Sequence, residues 1–181
     1  MEKEKPKHKA KGFALETDLM AALNFTDEDL EANRDGRLSQ RQRQRFAKMQ
    51  ANITTEIYLA GFVGLIGIPI LVYWYHLHSV SWLEAVPPAL ISSFVCLMLV
   101  LSWWERRIML AADLREESVE TLQGLVKLEH LGKSGGHFNL QNQNFPLSSK
   151  ALLAFKNGDP YCIYYAPNTR TLLSAEWLRE D

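Results

Sequence analysis

Two uncharged stretches decide how this sequence is interpreted. Residues 57–75 read IYLAGFVGLIGIPILVYWY, and residues 85–104 read AVPPALISSFVCLMLVLSWW. Neither stretch contains Asp, Glu, Lys, Arg or His. A helix of ~20 apolar residues is long enough to cross ~30 Å of hydrocarbon. The sequence therefore predicts a membrane α-helical hairpin, with transmembrane helices at 57–75 and 85–104 joined by a short loop at 76–84.

The distribution of Lys and Arg predicts the orientation of this hairpin. Residues 34–48 contain six of these cations, whereas the 76–84 loop contains none. The positive-inside rule then places both termini in the cytoplasm and the loop outside. We expect an integral, multi-pass protein of the cell membrane, with a cluster of cations at the membrane surface. These cations are Arg41, Arg45, Lys48, Arg106 and Arg107.

Small residues in the two stretches have the spacing that allows close helix packing. The simplest interpretation is that the two predicted spans pack on each other, and self-association through the same faces is the alternative. Neither span contains an ionisable residue, which argues against a transporter acting alone. The small residues are Gly61, Gly64, Gly67, Ala85, Ala89 and Ser93.

The N-terminal region is predicted to be helical after a disordered basic tail at 1–12. Residues 13–56 contain a short helix, a capped helix–turn–helix and a basic amphipathic helix that leads into the first span. Gly36 is expected to end the first capped helix, because glycine adopts the left-handed conformation found there. Two pairs have the spacing of capping boxes. They are Thr26 with Asp29 and Ser39 with Gln42.

The turn around Gly36 resembles an EF-hand loop that would run from Glu31 to Gln42. Calcium loops place a bidentate carboxylate at the twelfth position, and Gln42 cannot supply one. We therefore interpret the segment as a capped turn and keep calcium-responsive regulation as an alternative. The candidate metal ligands are Glu31, Asn33 and Asp35.

The C-terminal region changes character after a predicted helical stalk at 105–121. Residues 122–181 contain short β-rich runs separated by turn signals, which predict a small cytoplasmic β domain of SH3-like or OB-like size. The run YCIYY at 161–165 should place alternate side chains on opposite faces. One face is expected in the core, and the other is either covered or available to a partner. The candidate docking residues are Tyr161, Tyr164 and Tyr165.

Composition narrows the classes of function. The chain has 181 residues, a formal net charge of −1 and two cysteines, Cys96 and Cys162, which are not expected to pair. We recognise no nucleophile–base set, no nucleotide-binding loop and no cluster with metal-ligand spacing. The sequence therefore predicts no enzyme, no cofactor, no nucleic-acid partner and no small-molecule substrate.

The function expected from these features is a two-span membrane protein that anchors a small cytoplasmic β module for protein–protein interaction or assembly. Its expected partners are the lipid bilayer and either another protein or further copies of the chain. An oligomeric pore, or an accessory subunit of a membrane transport complex, is the alternative.

Overall fold

The computed structural model describes residues 17–77, 82–130 and 136–178. Within them, helices occupy the N-terminal part of the chain, and strands with one short helix occupy the C-terminal part. The predicted tail at 1–12 and residues 78–81 of the predicted loop lie outside these ranges. The helices are α1 (17–23), α2 (Asp27–Arg34), α3 (Gln40–Leu77), α4 (Trp82–Glu116) and α5 (Ser149–Leu153). The strands are β1 (Glu120–Leu125), β2 (Lys127–His130), β3 (Gly136–Leu140), β4 (Gln143–Leu147), β5 (Pro160–Ala166) and β6 (Thr171–Trp177).

The chain divides into two compact units. The first unit combines both ends of the chain, Met1–Arg43 and Arg115–Asp181. The second unit is Gln44–Leu114, which contains most of α3 and α4. The N-terminal helices and the C-terminal strands, which are far apart in the sequence, therefore belong to the same folded body.

The turn between α2 and α3 is built from local signals. Thr26 Oγ1 accepts a hydrogen bond from Asp29 N at 3.3 Å, and Asp29 Oδ2 accepts one from Thr26 N at 2.9 Å. Ser39 and Gln42 exchange the same pair of bonds at 3.1 Å each. Gly36 has a φ of +74°, in the left-handed region that favours glycine. Both predicted capping boxes and the glycine stop are confirmed.

The strands form two three-stranded antiparallel sheets, with the orders β1-β5-β6 and β2-β3-β4. Only Val126 separates β1 from β2, so one extended stretch feeds both sheets. Val126 is fully buried, and its N–H donates to Asp159 O at 3.1 Å. The β region predicted for 122–181 is therefore observed as two small sheets linked at this position.

Five aromatic rings connect these sheets in the core of the first unit. Phe138 lies at the centre, with its ring centroid 4.6 Å from that of Phe155 and 6.1 Å from that of Phe145. Phe155 packs on Tyr161 at 5.1 Å, and Phe145 packs on Tyr165 at 5.0 Å. Because the rings come from β3, β4, β5 and the segment after α5, this cluster stabilises the whole β region.

The second unit is a hairpin of two long helices. A Cβ built on Gly64 would lie 3.9 Å from the Cβ of Cys96, so α3 and α4 are in contact at this level. α3 ends at Leu77 and α4 begins at Trp82. Gly64 and Cys96 are therefore almost equally far along the chain from the connection between the helices. Two helices joined by so short a link can meet there only if they run antiparallel. The small residue Gly64 allows this close approach.

The prediction of a transmembrane hairpin is wrong. Among the residues that the structure describes, no helix is long and apolar enough to cross a membrane. The predicted spans 57–75 and 85–104 are parts of α3 and α4, which continue into charged turns on the sides away from their connection. Lack of charge alone does not make a stretch apolar throughout, because both stretches also contain small or polar residues such as glycine, serine and proline, which add little apolar surface.

Several further predictions depended on those spans and are corrected with them. The fold class is not a membrane α-helical hairpin; it combines helices with two small antiparallel sheets. The two-span membrane anchor and its transport-complex alternative are not supported. The same finding removes the basis for the integral membrane location, for cytoplasmic termini and for an external loop at 76–84.

Candidate interaction surfaces

One face of the β1-β5-β6 sheet is polar, and α2 is attached to it. In the sheet register, Gln123, Cys162 and Glu176 lie side by side. Tyr164 and Ser174 form the next row of the same face, because side chains two positions apart on a strand point the same way. Gln123 Nε2 is 3.6 Å from Cys162 Sγ. The opposite face of the sheet contributes to the aromatic core.

Two contacts hold α2 against this face. Asn33 and Ser174 are both fully buried, and Asn33 Nδ2 donates to Ser174 Oγ at 2.7 Å. Arg34 binds Glu176 through two parallel hydrogen bonds, at 2.9 Å from Nε and 2.5 Å from Nη2. The Tyr164 hydroxyl donates to the same carboxylate at 2.7 Å. A fork of this kind fixes orientation as well as distance, so the helix and the sheet are held in one arrangement.

The ionisation of these groups follows from their contacts. The hydrogen bond from Arg34 holds the pKa of Glu176 below its ordinary value, although partial burial opposes the shift. The hydrogen bond to Glu176 raises the pKa of Arg34. Burial, followed by the hydrogen bond to Glu176, raises the pKa of the Tyr164 hydroxyl. The cluster therefore consists of one anion, one cation and a neutral phenol, all used in binding α2 to the sheet.

We expect Glu176→Gln to weaken the first unit near neutral pH and to flatten the loss of stability in acid. The folded-state pKa of Glu176 lies below its ordinary value of 4.5, so the ionised carboxylate stabilises the fold above that value. This contribution is lost as the pH falls through the lower, folded-state pKa. The cost at neutral pH should be on the order of 1 kcal/mol, because the Arg34 side chain is half exposed. Denaturant midpoints measured against pH will check this.

A matched control is Glu31→Gln, which removes an exposed carboxylate from α2 without touching Glu176. Its acid profile should follow that of the unsubstituted chain. Equal acid profiles for Glu176→Gln and the unsubstituted chain would show that the Arg34 contact does not stabilise the fold.

A second buried cluster lies where α2 meets the start of α3. Asp29 is 2% exposed, and its carboxylate accepts hydrogen bonds from Ser39 Oγ and from Thr26 N. Arg41 Nη1 lies 3.6 Å from Asp29 Oδ2, and Arg41 Nη2 donates to Asn24 Oδ1 at 2.7 Å. A buried carboxylate needs such partners to offset its desolvation. Arg41, predicted at a membrane surface, thus contributes to the packing of the first unit.

The remaining cations of that predicted surface lie in the second unit. Arg45, Lys48 and Arg106 are exposed. Arg107 is partly covered, and its guanidinium carbon lies 5.3 Å from the centroid of the Trp104 ring. Their assignment to a membrane surface depended on the predicted spans, and it has no further support once those are corrected.

The three candidate calcium ligands do not converge. Glu31 is exposed, whereas Asn33 is buried against Ser174. Asp35 accepts a hydrogen bond from Arg37 at 2.8 Å. Within the described residues, no group of three His, Cys, Asp or Glu side chains is placed to hold a metal ion. The segment is a capped turn in which Asn33 and Asp35 form hydrogen bonds with other side chains of the same chain.

The candidate docking tyrosines are not on the surface. Tyr161, Tyr164 and Tyr165 are at most 7% exposed. The Tyr161 hydroxyl accepts a hydrogen bond from Lys156 N at 3.2 Å, and that of Tyr165 donates to Glu120 at 2.5 Å. Both faces of β5 are thus covered: one contributes to the aromatic core, and on the other the Tyr164 hydroxyl shares the Glu176 carboxylate with Arg34 of α2. The tyrosines are structural residues in this arrangement.

The small residues predicted to pack the hairpin are placed in different ways. Gly64 contacts Cys96, whereas a Cβ built on Gly61 meets nothing within 4 Å and one built on Gly67 meets only Val63 of the same helix. Ser93 is partly covered. Ala85 and Ala89 belong to α4, but their side chains lie outside the described residues.

The largest exposed feature of the second unit is apolar. Among the residues whose side chains the structure describes, many large apolar side chains of α3 and α4 are 39–73% exposed. No charged residue interrupts this surface between residues 57 and 75 or between 85 and 104. Representative members are Leu59, Phe62, Ile70, Leu90, Phe94 and Leu97. Exposed apolar surface on this scale marks an interaction site.

No family model matches the chain, and no curated protein or solved structure is significantly similar to it. The two units and their surfaces are therefore the basis for inferring function.

Proposed function

We propose that this chain is a self-assembling scaffold protein. Copies associate through the uncharged surfaces of α3 and α4 and thereby bring several copies of the first unit together. The observation that carries the proposal is the exposure of large apolar side chains on α3 and α4, such as Leu59 at 62% and Leu90 at 65%. A helix that is apolar on all sides is normally buried by neighbours.

The chemistry of this surface favours further copies of the same chain as those neighbours. The stretches at 57–75 and 85–104 contain no charge that would select an oppositely charged partner. The surface that best matches them is another uncharged helical surface. Each copy of the chain carries two such surfaces, one on α3 and one on α4. Most stable assemblies of a single chain are built from such repeated contacts.

A non-catalytic role is part of this proposal. The titratable side chains clustered in the first unit bind one another and hold α2 on the sheet. Glu176, for example, accepts hydrogen bonds from both Arg34 and Tyr164. These contacts support a structural role for the first unit. In this proposal, assembly displays several copies of that unit.

Capture of one tagged copy by another tests the proposal. Two versions of the full chain, with different affinity tags, are expressed together and extracted in mild non-ionic detergent. Purification through the first tag should retain the second. A parallel sample, mixed only after separate extraction, controls for association during purification.

Recovery of the first tag alone would contradict self-assembly. The same holds if the chain disperses as single copies in detergent micelles or in phosphatidylcholine vesicles. In either case the apolar surface would be covered by something other than a second copy.

A further inference from the structure

Helix α3 carries a regular apolar seam on one side. Its members alternate at spacings of four and three residues, the 3.5-residue period of helices that pack lengthwise. All six are exposed, from 40% for Ile66 to 63% for Tyr73. The α3 seam consists of Leu59, Val63, Ile66, Ile70, Tyr73 and Leu77.

Helix α4 carries a second seam with the same period and the same length. Its members are 48–65% exposed. The two seams therefore match in spacing and in number of residues, and the members of both are uncharged side chains. The α4 seam consists of Leu90, Phe94, Leu97, Leu101, Trp104 and Ile108.

Neither seam is the face that joins α3 to α4 within one copy. On α3, each of Leu59, Val63 and Ile66 comes one residue before a partly covered position, and for Val63 that position is Gly64 of the internal contact. One residue rotates a helix by about 100°, so the α3 seam lies roughly a quarter turn from the internal face.

On α4 the offset has the opposite sign. Leu97, Leu101 and Trp104 each come one residue after a partly covered position, such as Cys96. Because α3 and α4 run antiparallel, opposite offsets place the two seams on opposite sides of the hairpin. A single copy therefore cannot cover its own seams with each other.

We infer that the α3 seam of one copy packs against the α4 seam of the next copy. The contact joins two different surfaces, so each copy uses both seams and the copies form a ring or a row. In the register described below, eight of the twelve side chains face each other across one contact; at about 100 Å² for each half-exposed side chain they would bury on the order of 800 Å², at the low end of specific interfaces. This inference rests on the proposed function.

The internal contact also specifies the register. Gly64 lies opposite Cys96, so copies related by an axis parallel to the helices repeat that level in every hairpin. Because adjacent helices run antiparallel, a residue that lies a given number of positions after Gly64 on α3 is level with the residue that lies the same number of positions before Cys96 on α4. The same holds with before and after exchanged. The resulting layers are Leu59 with Leu101, Val63 with Leu97, Ile66 with Phe94, and Ile70 with Leu90.

Crosslinking between tagged copies tests the register. Cys96→Ser and Cys162→Ala remove the native thiols from two full-length versions of different size. One version then carries Leu59→Cys and the other Leu101→Cys, and a short bismaleimide is added to cells that express both. A crosslinked pair of unequal copies is expected. A second pairing, Ile70→Cys with Leu90→Cys, should crosslink as well and guards against one substitution disturbing the fold.

Mismatched pairings are the controls. Leu59→Cys with Leu90→Cys places the thiols 11 residues out of register, about 16 Å along the axis, and should not crosslink. Leu59→Cys with itself should not crosslink either. Equal crosslinking of matched and mismatched pairs would overturn the register. The register would also be wrong if no pair crosslinks although one tagged copy still captures the other. Loss of capture itself would instead refute the proposed function.

Discussion

Val63→Glu is expected to separate the assembled copies. In the inferred register Val63 faces Leu97 of the next copy, and glutamate there must either bury a charge or take up a proton. Burying an unpaired polar group costs roughly 2–7 kcal/mol. At 1.4 kcal/mol for each factor of ten, association should weaken at least about thirtyfold. Sedimentation velocity of the full-length chain over a range of concentrations will measure the change.

The control for this variant is Thr55→Glu, which adds the same charge to the same helix. Thr55 is exposed and lies before the uncharged stretch, and its hydroxyl donates to Ala51 O of its own helix at 3.1 Å. Its association should match that of the unsubstituted chain. If Val63→Glu sediments like Thr55→Glu, the α3 seam is not an interface.

Phe138→Ala is expected to destabilise the first unit by about 3–5 kcal/mol, because it leaves a cavity in a close-packed core. Phe138 is fully buried and contacts the rings of Phe145 and Phe155. Amide hydrogen exchange of strand β5 in increasing denaturant reports on this unit separately from the second. Exchange from β5 should become correspondingly faster.

Phe138→Leu retains most of the side-chain volume and should cost roughly 1–2 kcal/mol. A loss below about 1 kcal/mol for Phe138→Ala would mean that the aromatic cluster does not hold the two sheets together.

Short-range features of the fold could be predicted because the interacting residues are neighbours in sequence. The capping boxes at Thr26 and Ser39 need only a partner three residues away. Gly36 acts through its own backbone conformation. Strand β5 contains the β-rich run YCIYY within five residues. In each case one or two helical turns, or one strand, contain all the information.

The polar interface could not be predicted because its partners are far apart. Asn33 and Ser174 are separated by 141 positions, and Arg34 and Glu176 by 142. Nothing in the local sequence indicates that α2 packs on the face of the sheet that carries Tyr164. The sequence therefore predicts a possible docking surface there, whereas the structure shows that the N-terminal and C-terminal parts of the chain bind each other on this face.

The uncharged stretches led to a wrong prediction for a different reason. An uncharged, apolar surface is expected to be buried, but the sequence does not identify what covers it. The spacing of Leu59, Val63 and Ile66 was present in the sequence. It could be recognised as a separate seam only after the Gly64–Cys96 contact had shown which face of α3 is already occupied.

The mass of the full-length chain in solution tests the central claim most directly. Sedimentation equilibrium in a mild, density-matched detergent measures the mass of the protein without the detergent. A mass of at least two chains, which falls to one chain in Val63→Glu but not in Thr55→Glu, is the predicted result. A mass of one chain for the unsubstituted protein at every concentration would contradict self-assembly through α3 and α4.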